Sequence, residues 1–463
     1  MKQKLFRDFF HGKHVAILGF GREGRSTYAA LRKFMPSAPL SVCDRDSSLT
    51  DIPEVSADPN TRWFFGEHYL EGLSGADLVL KSPGIPFKEL GSYPFSEKIT
   101  SQTGLFLQLF GKQVAGITGT KGKSTVASLL QHIMKTAGKP SLLLGNIGIP
   151  PFDLLPEIED DTHIVFEMSS HQLQELQVSP HIAVLLNIFE EHLDHYHSYK
   201  EYQQAKMNIA RWQQPEDYFL FPAGNSLIQK LSEKKGFRGQ KILLGKEEGD
   251  EAVFYKNDDL FIKFFGKVCQ IKDVKKNRLL PGNHNLLNIA AAAAVAVLSG
   301  AEAGPVERAV GSFSGLPHRL EFAGKAHGIT FYNDSISTIP EATIEALKTF
   351  PETATLILGG FDRGVDYKGL MGFLRITRLK TVIFMGEAGK RMLRLSEAGK
   401  ALQGRQYLEA SGLEEAFEMA IKKTPANGIC LLSPAAASYD AFRNFEERGN
   451  CFKSLVKEWA ARK

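Results

Sequence analysis

The sequence predicts an α/β chain of several domains built on parallel sheets. Short apolar runs of strand character alternate with stretches of helical period along most of the 463 residues. Such alternation forces parallel strands joined by crossover helices. Polar, glycine-bearing motifs follow the apolar runs, as expected where ligands gather beyond the carboxyl ends of parallel strands. The length corresponds to two to four domains at roughly 100–200 residues each. A composition of 43% hydrophobic and 23% charged residues is that of ordinary globular protein, able to bury a core in each domain.

The first segment, residues 1–97, opens with a strand-like run at 14–18. A glycine turn, a helix from about Ser26 and a strand from Leu40 ending at Asp44 follow. The run at 78–80 leads into Lys81-Ser-Pro-Gly-Ile-Pro, where two prolines around a glycine mark a loop at a strand's end. The turn Gly19-Phe-Gly21-Arg-Glu-Gly24, with Asp44 twenty residues further on, has the spacing of a dinucleotide fingerprint in a Rossmann-like fold. Alone that pattern is weak, and nothing else in the chain suggests hydride chemistry.

The second segment, residues 98–314, holds a strand at 114–118, a glycine-rich loop, and a helix from Lys123 to about Ala137 that Gly138 stops. Strand-like runs recur at 141–144, 164–166 and 182–186. Residues 240–275 read as short strands with a turn at Asn257-Asp258, and an alanine-rich helix at 286–298 closes the segment near Gly300. The third segment, residues 315–463, places strands at 329–332, 355–358, 381–385 and 429–432. Asn333-Asp334-Ser335, Gly359-Gly360 and Ser433-Pro434 follow three of them.

The loop at 116–125 carries the clearest chemistry. A triphosphate needs several N–H donors converging on one point together with a cation; glycines let the backbone approach, and the following helix offers its positive end. Gly119, Gly122, Lys123 and Ser124 supply that arrangement after a strand, in the manner of a P-loop ATPase. Lys123 is expected to reach the outer phosphates and Ser124 to touch the metal. The general pattern asks for a glycine at 117; that residue is Ile117, and the glycine stands one place earlier at Gly116. The bland reading is a glycine-rich turn before a core helix.

Glu167 ends an apolar run and is suitably placed to hold Mg²⁺ beside the phosphate loop, although strands often end on a solvated charge. The stretch Asn187-Ile-Phe-Glu-Glu-His-Leu-Asp-His-Tyr-His concentrates carboxylates and imidazoles. No cysteine helps it toward a zinc finger, and a polar surface loop is the alternative. Lys206 follows on the helical stretch Tyr202-Gln-Gln-Ala-Lys-Met.

Other classes fit less well. The net charge of +4 is spread over interleaved basic and acidic residues, without the concentrated basic face of a nucleic-acid protein. Cys43, Cys269, Cys430 and Cys451 are widely separated, as in a reduced cytosolic chain. The basic N-terminus has no apolar run of signal-peptide length, and the longest apolar stretch, 289–298, is too short to span a bilayer. A soluble, cytoplasmic, monomeric protein without nucleic-acid or membrane partners is expected.

An ordered set of motifs spans nearly the whole chain. It runs Thr118-Gly-Thr-Lys-Gly-Lys-Ser-Thr, Gly145-Asn-Ile-Gly, Glu167-Met-Ser-Ser-His-Gln-Leu, Glu190-Glu-His-Leu-Asp-His, Gly282-Asn-His-Asn-Leu-Leu-Asn and Leu316-Pro-His-Arg. It continues with Asn333-Asp-Ser, Leu432-Ser-Pro-Ala-Ala-Ala-Ser-Tyr-Asp and Phe442-Arg-Asn-Phe-Glu-Glu-Arg-Gly. Together these resemble the Mur ligase family, and within it the branch that adds glutamate. The resemblance implies a Rossmann-like UDP-binding domain, a central P-loop ATPase-like domain with a parallel sheet, and a C-terminal Rossmann-like domain for the incoming amino acid. It implies the substrates UDP-N-acetylmuramoyl-L-alanine and glutamate, and activation of a carboxylate by ATP with Mg²⁺ as an acyl phosphate.

The same resemblance assigns residues. Gly119, Thr120, Lys121, Gly122, Lys123, Ser124 and Thr125 would bind ATP, with Asn285, Asn288, Arg319 and Asp334. Gly21, Arg22, Glu23, Asp44, Arg45, Ser82, Gly84 and Asn146 would bind the UDP-sugar. Ser124, Glu167 and His192 would hold metal, with Lys206 as a carbamate; Lys123, His192 and Lys206 would be catalytic. Thr338, Arg363, Ser433 and Phe442 would surround glutamate. Ile336 stands where the family usually has a lysine, and Arg363 is the replacement cation. D-Glutamate is favoured as the commoner acceptor, and L-glutamate is the alternative. A ligase of the folylpolyglutamate synthetase type lacks the first domain, so residues 14–84 argue against it. The presence of Lys123, Glu167, His192 and Lys206 argues against a non-catalytic nucleotide-binding regulator.

Overall fold

The apolar runs become the inner strands of three sheets. The computed structural model describes residues 2–86, 90, 98–145, 149–191, 195–234, 236–246, 251–398 and 404–462. Strands β1 (Val15–Leu18), β2 (Leu40–Asp44), β3 (Thr61–Phe65), β4 (Leu78–Lys81) and β5 (Ile99–Thr100) form a sheet of order β3-β2-β1-β4-β5, parallel throughout.

Strands β6 (Val114–Thr118), β7 (Ser141–Gly145), β8 (His163–Glu167), β9 (Ile182–Leu185), β10 (Tyr218–Pro222) and β11 (Gln240–Leu244) begin the second sheet. Strands β12 (Ala252–Lys256), β13 (Asp259–Phe264) and β14 (Lys267–Ile271) complete it, in the order β14-β13-β12-β11-β10-β9-β6-β8-β7. The β12–β13 and β13–β14 pairings are antiparallel, and Asn257, at φ 55, turns the β12–β13 hairpin where the sequence placed the turn.

The third sheet comprises β15 (Glu321–Ala326), β16 (Ile329–Asn333), β17 (Thr353–Gly359), β18 (Thr381–Met385), β19 (Gln406–Ala410) and β20 (Ile429–Leu432). Its order is β15-β16-β20-β17-β18-β19, with only β15 antiparallel. The α/β class with parallel-dominated sheets is as expected from the alternation.

The chain divides into two compact units. One holds Met1–Arg278 with Asn283–Phe313; the other holds Leu279–Gly282 with Ser314–Lys463. The first two sheets therefore share one unit. The helix Lys2–Phe10 helps to join them: Phe6 packs edge-on against Phe152, with centroids 5.2 Å apart, and both rings are buried. No helix among the described residues is long and apolar enough to cross a membrane.

One boundary differs from the sequence reading. The helix expected from about Ser26 runs Arg22–Phe34. Gly24 lies in its first turn, where an added Cβ would collide with the Gly19 carbonyl. The glycine here permits close packing of helix on turn rather than extending the turn.

Candidate active site

The phosphate loop leaves β6 at Thr118 and enters the helix Lys123–Thr136. Gly122, its N-cap, is left-handed at φ 90, and an added Cβ there would lie 2.7 Å from Asn288 Oδ1. Conformation and space both exclude a side chain. Gly116, by contrast, lies in the middle of β6, where a Cβ would come within 2.7 Å of Pro180 and 3.0 Å of Met168. It is a packing glycine of the strand, so the loop itself begins at Gly119.

Asn187, two residues after β9, splints this loop. Its carbonyl accepts from Thr120 N at 3.0 Å, its Oδ1 accepts from Lys121 N at 2.8 Å, and its Nδ2 donates to Lys121 O at 3.0 Å. Thr120 Oγ1 accepts from Phe189 N at 2.9 Å and meets the Tyr202 hydroxyl at 2.9 Å. Tyr202 and Lys206 sit one turn apart on the helix Tyr199–Arg211, on its buried side. The sequence reading passed over Asn187 and Tyr202; the four-residue spacing from Tyr202 to Lys206 was the available signal for the latter.

Lys123 Nζ donates to Gly119 O at 2.9 Å and to Thr120 O at 3.1 Å, and Lys206 Nζ donates to Gly119 O at 2.9 Å. Lys206 is 2% exposed. Burial first, then the Lys123 charge, pull its pKa down to about 7, with Glu191 opposing and Lys121 adding to the fall. Lys121 pairs with Glu191 at 2.8 Å.

Glu167 ends β8 and is fully buried; its register partner on β6 is Ile117. The next residue is tied to the loop strand, since Met168 N donates to Ile117 O at 2.9 Å and Thr118 Oγ1 donates to Met168 O at 2.8 Å. Ser124 stands in the first turn of the loop helix. A carboxylate and a hydroxyl at a phosphate loop form the hard-oxygen set that Mg²⁺ takes up with phosphate oxygens. Among the described residues, no group of three His, Cys, Asp or Glu side chains could hold a metal by itself. His192 and Asn146 lie outside the described residues.

Asn285 and Asn288 sit on the helix His284–Leu298, and Asn288 Nδ2 donates to Asn285 Oδ1 at 2.7 Å. The contact with Gly122 brings this pair to the phosphate loop. Thr125 is buried in the loop helix.

A cleft of about 350 Å³ opens at the turn after Glu167, lined by Arg22, Glu23, Gly84, Ser169, His171, Gln172 and His195 among others. Gln172 Nε2 donates to Glu23 Oε1 at 2.8 Å, linking the first sheet's helix to the turn after Glu167. Ser169 and Gln172 form a reciprocal capping box that fixes this turn. Burial raises the Glu23 carboxyl against the lowering effect of Gln172. His171 and His195 meet edge to face at 4.1 Å. Ser169, His171, Gln172 and His195 belong to motifs of the sequence to which no cleft role was assigned, because they come from segments far from the glycine turn.

Of the other residues expected near the UDP-sugar, Ser82 Oγ donates to Gly19 O at 3.0 Å. Asp44 accepts from Phe20 N at 2.6 Å and Asp46 N at 2.9 Å, so it holds the glycine turn. Gly21 and Arg45 are exposed. Below the 82–85 loop, Lys81 Nζ pairs with Glu175 Oε1 at 2.5 Å and donates to Ile85 O at 2.6 Å. Burial drives the Glu175 carboxyl upward, and Lys81 opposes the shift.

In the second unit Asp334, 2% exposed, accepts from Leu320 N at 3.1 Å, Ser337 Oγ at 2.6 Å and Ser433 Oγ at 2.7 Å. Burial lifts its pKa to about 6 despite these bonds and the nearby Arg319 charge. Arg319 itself is exposed. Ser433 is thus joined directly to Asp334, and exposed Arg363 donates to Thr338 O at 3.2 Å. Phe442 packs against the core between the sheet and the C-terminal helix Phe445–Ala461.

Comparisons with known proteins agree with this geometry. Residues 117–296 match the Mur ligase middle domain, and residues 318–436 match the Mur ligase glutamate ligase domain. The UDP-N-acetylmuramoylalanine--D-glutamate ligase of Acetivibrio thermocellus is 30% identical over 97% of both chains. That of Geotalea uraniireducens is 33% identical over 96% of this chain and 97% of its own. A crystal structure of MurF from Acinetobacter baumannii shares the fold, with a TM-score of 0.59 at 17% identity over 92% of this chain and 91% of that one. With full-length relatives at this identity, and a phosphate loop, a buried lysine and an adjoining cleft arranged as described, the chain belongs to the Mur ligase family.

Proposed function

We propose that this protein is an ATP-dependent, ADP-forming ligase that joins glutamate to UDP-N-acetylmuramoyl-L-alanine in peptidoglycan precursor synthesis. D-Glutamate is the favoured acceptor, in keeping with the names of the curated relatives; L-glutamate is the alternative. The observation that carries the reading is the cleft. It is lined on one side by the helix of the first glycine turn and on the other by the turn after Glu167, whose strand β8 pairs with the phosphate-loop strand β6. An elongated nucleotide-sugar bound along it would bring its far carboxylate toward ATP.

In this reading three functional segments divide the work. Residues 1–97 bind the UDP-sugar through Gly21, Arg22, Glu23, Asp44, Arg45, Ser82 and Gly84, with Asn146 contributed by the central segment. Residues 98–314 hold ATP through the 119–125 loop, Asn285 and Asn288. Residues 315–463 contribute Arg319 and Asp334 to ATP, and Thr338, Arg363, Ser433 and Phe442 to glutamate. The protein would work on these small molecules in the cytoplasm, as a monomer.

A carboxylate oxygen of the alanyl group attacks the γ-phosphorus, the bond to the bridging oxygen breaks, and ADP leaves an acyl phosphate. The neutral amine of glutamate then adds to the acyl carbon. The tetrahedral species loses a proton from nitrogen and expels phosphate, leaving an amide. Two anions must meet in the first step, so a positioned cation is needed, and Lys123 at the loop meets that need. Mg²⁺, held by Ser124, Glu167 and His192, would neutralise phosphate charge. Burial leaves much of Lys206 as free amine near neutrality. Such an amine can add to CO₂, forming an N–C bond and releasing one proton, which turns a cation into an anionic metal ligand.

Phosphate release should require ATP, UDP-N-acetylmuramoyl-L-alanine and glutamate together. Supplying D- and L-glutamate separately identifies the acceptor. Turnover without the UDP-substrate would overturn the reading.

A further inference from the structure

The C-terminal helix Phe445–Ala461 carries a guanidinium that no assigned role absorbs. Arg448 is 1% exposed. Its Nε donates to Ser335 Oγ at 2.9 Å and its Nη2 to Ser335 O at 2.9 Å; Nη2 also reaches Ala436 O at 3.0 Å, and Nη1 reaches Ala437 O at 3.0 Å. Ser335 belongs to the loop after β16, and Ala436 and Ala437 to the loop after β20. Ala437 O also accepts from Phe361 N at 2.9 Å, which ties in the loop after β17. These three strands are neighbours in the sheet.

One planar fork therefore bonds two adjacent loops, and a backbone bond adds a third, at the carboxyl ends of parallel strands, the place where such sheets bind ligands. At Gly360 an added Cβ would lie 3.0 Å from Arg448 Nη1 and collide with Ala437 O, so the backbone is pared back to admit the group. Every one of these acceptors is a neutral oxygen. Burial lowers the guanidinium's pKa only to about 10, with Asp440 opposing the fall, so it stays charged at neutral pH. A buried cation is tolerated when its donors are satisfied, and a lysine cannot reproduce this fork.

We propose that Arg448 is a positioning residue for the acceptor amino acid, clamping the 333–338 loop to the 433–437 loop so that Thr338 and Ser433 face glutamate in fixed register. This rests on the ligase reading above. Arg448 does not itself touch the substrate.

The test is steady-state kinetics of Arg448→Lys, with Ser335→Ala as a milder variant should the first not fold. Arg448→Lys should raise KM for glutamate about tenfold or more while KM for the UDP-substrate stays within about twofold, because misplaced contacts weaken only the ligand they hold. Ser335→Ala should show the same split at a few-fold. Amide hydrogen exchange in residues 335–338 and 433–438 should quicken in both. Equal rises in the two KM values, or a lowered melting temperature with both KM values unchanged, would make Arg448 a purely structural residue and overturn the proposal. If the wild type itself fails to ligate glutamate, the ligase reading fails. The exchange measurement then judges the clamp alone, and unchanged exchange would refute it.

Discussion

Lys123 and Lys206 donate to the same oxygen, the Gly119 carbonyl, each at 2.9 Å. Burial, and after it the Lys123 charge, bring Lys206 down to about 7.

Lys206→Ala is expected to lose nearly all activity and to regain part of it with added short carboxylates, which replace the missing carbamate. In the wild type, activity at limiting CO₂ should rise as pH passes upward through about 7, because only the free amine reacts. An unchanged rate for the alanine variant without added carboxylate would refute the carbamate.

Lys123→Ala should abolish ATP turnover and leave the fold intact. Removing its charge should also raise the Lys206 pKa, which a chemical-shift titration of labelled lysine would detect. Full activity in this variant would remove the phosphate-loop assignment.

Gly122→Ala should raise KM for ATP and destabilise the first unit by about 1–2 kcal/mol, since alanine is strained at φ 90 and its Cβ would press on Asn288. Urea unfolding and ATP kinetics check the two effects.

The strand–loop–helix around Lys123 was legible because local apolar pattern, glycines and a helix start coincide over a dozen residues. The β12–β13 turn at Asn257 was legible for the same reason. The strands β3, β15 and β19 were missed, being half-polar and lying toward sheet edges, where one face need not be apolar. Gly116 was misplaced into the loop because its requirement comes from Pro180, far away in sequence. Arg448 stands in the motif at 442–449 without an assigned role; only the fold brings Ser335, Ala436 and Ala437 to it. His171 and His195 stand in two separate motifs of the sequence, and only the fold brings them into one cleft.

The Lys81–Glu175 pair, with side chains 2% and 8% exposed, should be costly to break singly. Lys81→Met is expected to lose about 3–5 kcal/mol, while the double change with Glu175→Leu recovers most of it. Denaturant unfolding of the three variants measures the coupling.

Asp334 gives the second unit a pH dependence of definite sign. Its folded pKa of about 6 lies above the ordinary 3.8, so the folded state holds the proton more tightly. The stabilisation is complete below the unfolded pKa and is lost as pH rises through about 6, by on the order of 3 kcal/mol. Asp334→Asn should lack this component in unfolding curves taken across that range.

The most direct measurement follows the oxygen. UDP-N-acetylmuramoyl-L-alanine labelled with heavy oxygen in its carboxylate is incubated with ATP, Mg²⁺, D-glutamate and the enzyme, and the released phosphate is analysed by mass spectrometry. Passage through an acyl phosphate moves one labelled oxygen into each phosphate as the amide forms. Amide product accompanied by unlabelled phosphate would contradict activation of the carboxylate by ATP at the Lys123 loop.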